Sequence, residues 1–266
     1  MRLIDKKSIA ILTSKNENQT KYRGNIRLFK QLQKKLSTYV TPSFLFCIDD
    51  VTVNGIYGLY YDPTENKWTT YFFVNPIVIY NRIPSREEEQ ETYHHQNYTL
   101  LKNKDVPIIN PCFFNKWKID QMLRKQKNIE KILPDTIFLD HESSLFSFLD
   151  KYRSIYVKPV DGSQGDHIFS IIKERTSFLL IDSLGQTQTL SFQQLNRYIS
   201  NLIKQQSFIC QETVPCKKHK EEKLDLRTLV HLSSNNQYKL TGIGFRQSTN
   251  RSITTHVMKG GENSIV

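Results

Sequence analysis

An α/β unit over about the first hundred residues, followed by a longer α+β region, is the architecture that this 266-residue sequence predicts. Three observations carry that reading. Short apolar runs of strand length, SIAIL, SFLFCI and PIVIY, alternate with a helical pattern in the first part. In the second part, strand-like runs cluster around amphipathic segments. Turn-forming residues separate the runs, and no internal repeat imposes a period of its own.

Taken in order, Ser8–Leu12 reads as a buried strand. Asn25–Leu36 puts Phe29, Leu32 and Leu36 at helical spacing, with lysines on the other side. Ser43–Ile48 is a second strand. Ile56–Tyr61 and Trp68–Val74 flank DPTEN and predict an antiparallel hairpin. Pro76–Tyr80 is a further buried strand, and the acidic Arg86–Glu91 starts a solvated helix. Lys116–Gln126 carries Trp117, Met122 and Leu123 on one stripe and stops at Leu133–Pro134. Ser143–Asp150 is a helix, with Leu145, Phe146 and Leu149 inward. Ser154–Lys158, Ile168–Ile172 and Phe178–Ile181 are strands, the first two joined by the turn Asp161–Asp166. Ser191 is a fitting N-cap for a helix to Lys204. Phe208–Gln211, Arg227–His231 and Tyr238–Arg246 complete the strands.

Lys and Arg number 37 against 26 Asp and Glu, a net charge of +11, which suits anionic partners without choosing among them. A nucleic-acid binder is disfavoured: no zinc, RRM or KH signature is present, and the lysines are scattered. The run KKHKEEK, Lys217–Lys223, is near neutral and reads as a solvated loop. Cys47, Cys112, Cys210 and Cys216 form no CxxC pair and read as buried or incidental thiols in a reducing compartment. The N-terminus lacks the apolar core of a secretory signal, and the apolar tract at 71–80 is too short to span a bilayer.

The sharpest local signal is IYVKPVDGSQGDHI, Ile155–Ile168. A strand delivers Lys158 directly into a turn holding Gly162, Ser163 and Gly165. Backbone N–H groups in such a turn can approach phosphate oxygens, and the lysine adds positive charge. Taken alone, a hairpin turn with a surface lysine explains the segment better. Asp225 and Arg227 lie on one side of a strand by the period of two. That pair also reads as an ion pair, His256 as a loop residue and Gly260–Gly261 as a simple turn.

The order of these pieces resembles the ATP-grasp fold, and the chain is similar to the YheC/YheD-type, endospore coat-associated ATP-grasp family. IAILTSK, VIYNRIPSREEE, NPCFFNKWKIDQML, LPDT, KPVDGSQG, FICQETVP, DLRTLVHL, GIGFR and THVMKGG carry the resemblance over nearly the whole chain. It implies a pre-ATP-grasp α/β domain at 1–105, a central lid subdomain at 106–207 and an incomplete C-terminal lobe at 208–266. Lys116 and Lys158 would hold phosphates under a lid formed by Gly162, Ser163 and Gly165. Gln211, Glu212 and Val214 would form the adenine hinge, and Asp225 would contact ribose or another part of ATP. Arg227 and Arg246 would stabilise the transferred phosphoryl group or an acyl-phosphate, and Thr254 and His256 would approach the triphosphate.

The implied function is ATP-dependent carboxylate–amine ligation on an unknown carboxylate and amine, in the cytoplasm or the spore, with spore-coat proteins as partners. The alternative is a non-catalytic spore structural or interaction protein that keeps part of the fold. Mg²⁺ is implied as well, but its usual Glu-x-Asn segment should follow Gly260–Gly261. The chain stops at Val266, and Glu262-Asn263 is adjacent rather than spaced. The metal ligands are therefore expected in a C-terminal segment absent from this chain. The apolar faces of 227–231 and 238–246 are expected to be partly uncovered.

Overall fold

The computed structural model describes residues 3–16, 21–39, 41–162, 166–215, 218–219, 222–248, 253 and 262–265. The chain divides into two compact units, Met1–Phe113 and Phe114–Val266. The first unit opens with β1 (Leu3–Ile4) and β2 (Ser8–Leu12), and α1 (Ile26–Ser37) leads to β3 (Ser43–Phe46). The hairpin of β4 (Ile56–Asp62) and β5 (Lys67–Phe73) follows, then β6 (Pro76–Asn81). The helices α2 (Arg86–His94) and α3 (Asn97–Asn103) lead to β7 (Ile108–Ile109).

These strands form one sheet in the order β1-β5-β4-β3-β2-β6-β7. The strand β2 runs parallel to both β3 and β6, while β4 is antiparallel to β3 and β5. Phe29 of α1 packs with Ile11 and Leu45 on one face, and Ala10, Leu12, Phe44, Ile79 and Leu101 fill the other. Alternate side chains of β2 therefore serve two cores, which is why SIAIL is apolar throughout. The three expected strands, the helix and the hairpin of this region are all present.

The second unit begins with α4 (Lys116–Arg124) and α5 (Lys127–Glu130). It continues as β8 (Thr136–Leu139), α6 (Glu142–Tyr152), β9 (Ser154–Pro159), β10 (Phe169–Lys173), β11 (Phe178–Ile181), β12 (Thr187–Leu190), α7 (Phe192–Ile203) and β13 (Phe208–Glu212). The six strands pair antiparallel in the order β12-β11-β10-β9-β13-β8. Because β13 is inserted between β9 and β8, this sheet extends past the expected boundary at 207/208. Leu145 and Leu149 of α6 and Leu195 and Ile199 of α7 pack on Ile155, Val157, Phe208 and Cys210. Ser191 caps α7 in a capping box with Gln194, as its position before the apolar stripe suggested.

The strands β14 (Lys218–His219), β15 (Glu222–Leu232), β16 (Tyr238–Gln247) and β17 (Glu262–Ile265) form a second, four-stranded sheet. This corrects the solvated-loop reading of KKHKEEK. Residues 218–219 and 222–223 lie in strands because they pair antiparallel with each other, Lys218 opposite Lys223 and His219 opposite Glu222, at the start of β15, whose ladder with β16 then runs from Leu224 opposite Gln247 to Leu232 opposite Tyr238. Leu226, Leu229, Leu232, Tyr238 and Leu240 of this hairpin are exposed, in line with the expected uncovered faces. Cys47 and Cys210 are buried and Cys112 is exposed, while Cys216 lies outside the described residues. Among the described residues, no helix is long and apolar enough to cross a membrane.

Candidate functional site

The period of two along β9 builds the site. Ile155 and Val157 enter the core beneath α6 and α7, so Tyr156 and Lys158 emerge on the opposite face of the sheet. There the Lys158 ammonium donates to Gln211 Oε1 at 2.5 Å, and Gln211 Nε2 donates to Thr136 Oγ1 at 2.9 Å. Three adjacent strands, β9, β13 and β8, thus each contribute one polar side chain to a single row. Lys158 also lies 5.3 Å from the centre of the Tyr156 ring. A second ammonium, that of Lys223 on β15, lies 5.0 Å from the same ring and donates to the Tyr156 hydroxyl.

The turn after β9 is anchored by α4. The Lys116 backbone N–H donates to Val160 O at 3.0 Å, and its ammonium donates to Pro159 O at 2.8 Å and Gly162 O at 2.5 Å. Asn115 caps α4 by accepting from the Lys118 N–H at 3.0 Å, and its amide also donates to Asp161 Oδ1 at 3.1 Å. A side chain at Gly162 would stand 3.0 Å from the Pro159 ring, so the turn folds closely over the proline. Lys116 therefore binds the carbonyls of the glycine turn directly. Ser163 and Gly165, the rest of the expected lid, lie outside the described residues.

The expected hinge doubles as a strand tie. The Glu212 N–H donates to Asp135 O at 2.9 Å, and its carboxylate accepts the Asp135 N–H at 2.8 Å. The Thr213 N–H donates to Ser154 O at 3.2 Å, and Val214 is half exposed. Asp135 in turn accepts from Lys151 at 2.8 Å and from the Tyr152 hydroxyl. Those hydrogen bonds, Lys151 first, hold its carboxyl below the usual range. Burial pushes the neighbouring Cys210 thiol up to about 12.

On the four-stranded sheet, Arg227 Nη2 donates to Asp225 Oδ2 at 3.1 Å, and both side chains are exposed. Arg246 stands opposite Asp225 in the ladder, so Asp225, Arg227 and Arg246 share one face of the hairpin. Thr254 and His256 lie outside the described residues. Among the described residues, no group of three or more His, Cys, Asp or Glu side chains stands together to hold a metal ion. Mg²⁺ is accordingly assigned no ligands and no chemical step.

Sequence reasoning missed Tyr156, Lys223 and Thr136. A signal for the first two was present: Tyr156 is two residues before Lys158, and Lys223 is two residues before Asp225. In a strand that spacing places each on the face of its neighbour.

The family model for YheC/D like ATP-grasp matches residues 105–266. Over 213 residues the chain is 25% identical to the endospore coat-associated protein YheD of Bacillus subtilis (strain 168), an overlap covering 77% of this chain and 46% of that protein. The chain thus spans less than half the length of this curated relative. Among solved structures, its fold is similar to that of the ATP-grasp ligase PsnB complexed with a phosphomimetic variant of minimal precursor, Mg and ADP. The TM-score is 0.52 at 12% identity, covering 97% of this chain and 76% of that one. At that identity the likeness concerns the fold alone. The family match takes in both sheets of the second unit and well over half of the sequence, and on that ground the chain belongs to the YheC/D-like ATP-grasp family.

Proposed function

We propose that the second unit binds ATP on the face of the six-stranded sheet opposite α6 and α7 and uses it for carboxylate–amine ligation on substrates yet to be identified. The observation that carries this reading is the row of Lys158, Gln211 and Thr136, with Lys158 near the end of β9, just before a turn anchored by Lys116. An ammonium beside a carboxamide, at the mouth of a close-folded turn, is a donor set suited to phosphate oxygens. ATP would supply the phosphoryl group that activates a carboxylate.

In this reading Lys158 binds the phosphates, and Lys116 keeps the Gly162 turn closed over them. Gln211, Glu212 and Val214 form the edge for the base, and Asp225 faces the ribose. Arg227 and Arg246 carry fixed positive charge toward the phosphoryl group as negative charge builds up on it. Ser163, Gly165, Thr254 and His256 complete the assignment by resemblance. Association with the spore coat is proposed from the name of the relative.

One observation favours the alternative of a non-catalytic spore interaction protein. The β15–β16 hairpin exposes a run of large apolar side chains, as binding surfaces do. Calorimetry with ATP separates the two. Under the ligase reading ATP binds, and Lys158→Ala weakens it by about 2–3 kcal/mol, roughly thirty- to 140-fold, for loss of a charge-assisted phosphate contact. Absence of ATP binding by the unaltered chain leaves the interaction reading.

A further inference from the structure

Two ammonium groups converge on one phenol ring, that of Tyr156, at 5.3 Å from Lys158 and 5.0 Å from Lys223. Lys158 belongs to the six-stranded sheet and Lys223 to the four-stranded one, so their meeting is a product of the folded second unit. The main chain of Lys223 is fixed. Its N–H donates to Ser248 Oγ at 2.8 Å, its carbonyl accepts the Ser248 N–H at 2.9 Å, and Ser248 is buried. From that point a four-carbon stem reaches the ring, and only the stem needs to move for the charge to be redirected.

By the period of two, Lys223 shares its face of β15 with Asp225 and Arg227, and Asp225 stands opposite Arg246. The ring and the phenol oxygen that Lys223 engages present only the partial negative charge of a π face and a hydroxyl. A phosphate oxygen is a stronger partner for an ammonium than either, and an anion between the two lysines also relieves their mutual repulsion.

We infer that Lys223 is a further nucleotide-binding residue, held ready on Tyr156 and transferring its ammonium to the phosphates beside Lys158. This rests on the nucleotide reading above and adds to it a contact from the hairpin that closes over the ligand's anionic end.

The test is calorimetry on the full chain with ATP and with adenosine at several salt concentrations. Lys223→Met should weaken ATP about tenfold or more, leave adenosine unchanged and lessen the dependence of ATP affinity on salt. Lys223→Arg should keep most of the affinity, and Tyr156→Phe, which keeps the ring but removes the competing oxygen, should bind ATP no worse than the unaltered chain. The inference is overturned if Lys223→Met binds ATP normally while Lys158→Ala is impaired. It is equally overturned if Lys223→Met loses ATP and adenosine alike, the mark of a packing defect. If ATP binds but Lys158→Ala is also without effect, the phosphates lie elsewhere and the inference is overturned; if the unaltered chain binds no ATP, the nucleotide reading itself fails and takes the inference with it.

Discussion

Single residues in this chain behave according to what surrounds them. The Cys47 thiol is pushed up to about 12, chiefly by burial and further by the negative charge of Asp50, and Cys210 reaches about 12 through burial alone. Neither forms appreciable thiolate at pH 8, whereas Cys112 is exposed. Iodoacetamide followed by peptide mass spectrometry should therefore label Cys112 well before Cys47 and Cys210 in the folded protein. Equal rates would contradict the burial. Asp135 illustrates linkage. Its pKa is lowered in the fold by Lys151 and Tyr152, so its contribution is complete above the unfolded value of about 3.9 and is lost as pH falls through the folded value. Asp135→Asn should be less stable than the unaltered chain at neutral pH, and the gap should close on acidification below about pH 4. A gap in urea melts that does not narrow at all as pH falls below about 4 would assign the loss to something other than charge.

At the scale of elements, two sites report on how local chemistry sets packing. The capping box of α7 pairs Ser191 Oγ with the Gln194 N–H at 3.3 Å and Gln194 Oε1 with the Ser191 N–H at 2.8 Å. Ser191→Ala should cost about 1 kcal/mol in denaturant melts, with Ser191→Gly costing less. In β4, a Cβ at Gly58 would clash with the ring of Phe44, which is fully buried and stacked on Phe73 at 3.8 Å. Neither ring has room to yield, so Gly58→Ala should cost about 1–3 kcal/mol as an overpacking change. A neutral effect would mean that the Phe44–Phe73 stack can slide.

On the scale of the whole molecule, each unit closes its own core. The first is built around Phe44, Phe46 and Ile79 and the second around Ile155, Val157 and Leu195. A fragment of residues 1–113 should therefore fold by itself, giving a cooperative melt and a dispersed amide spectrum, and Gly58→Ala should lower the melting temperature of that fragment. A fragment without cooperative unfolding would show that the first core needs the second unit.

The sequence by itself determined the strands whose apolar runs fill a core, such as SIAIL and IYV, because burial on one or both faces leaves a pattern that local reading can detect. It also determined the start of α7, since the Ser191 cap is a local hydrogen-bond device, and the family, through motifs spaced along the chain. Tertiary structure alone decided the rest. The four-residue β8 carries too short a pattern to be assigned, and it exists as a strand because β13 supplies its ladder. Lys223 shares a strand face with Asp225 by spacing alone, but only the fold brings its ammonium to Tyr156 of the other sheet. Lys116 looks like an available cation, yet the carbonyls of Pro159 and Gly162, over forty residues away, take up its ammonium. Composition and periodicity report on a residue's own element, whereas the partner of a polar side chain is set by which distant strands the fold brings alongside.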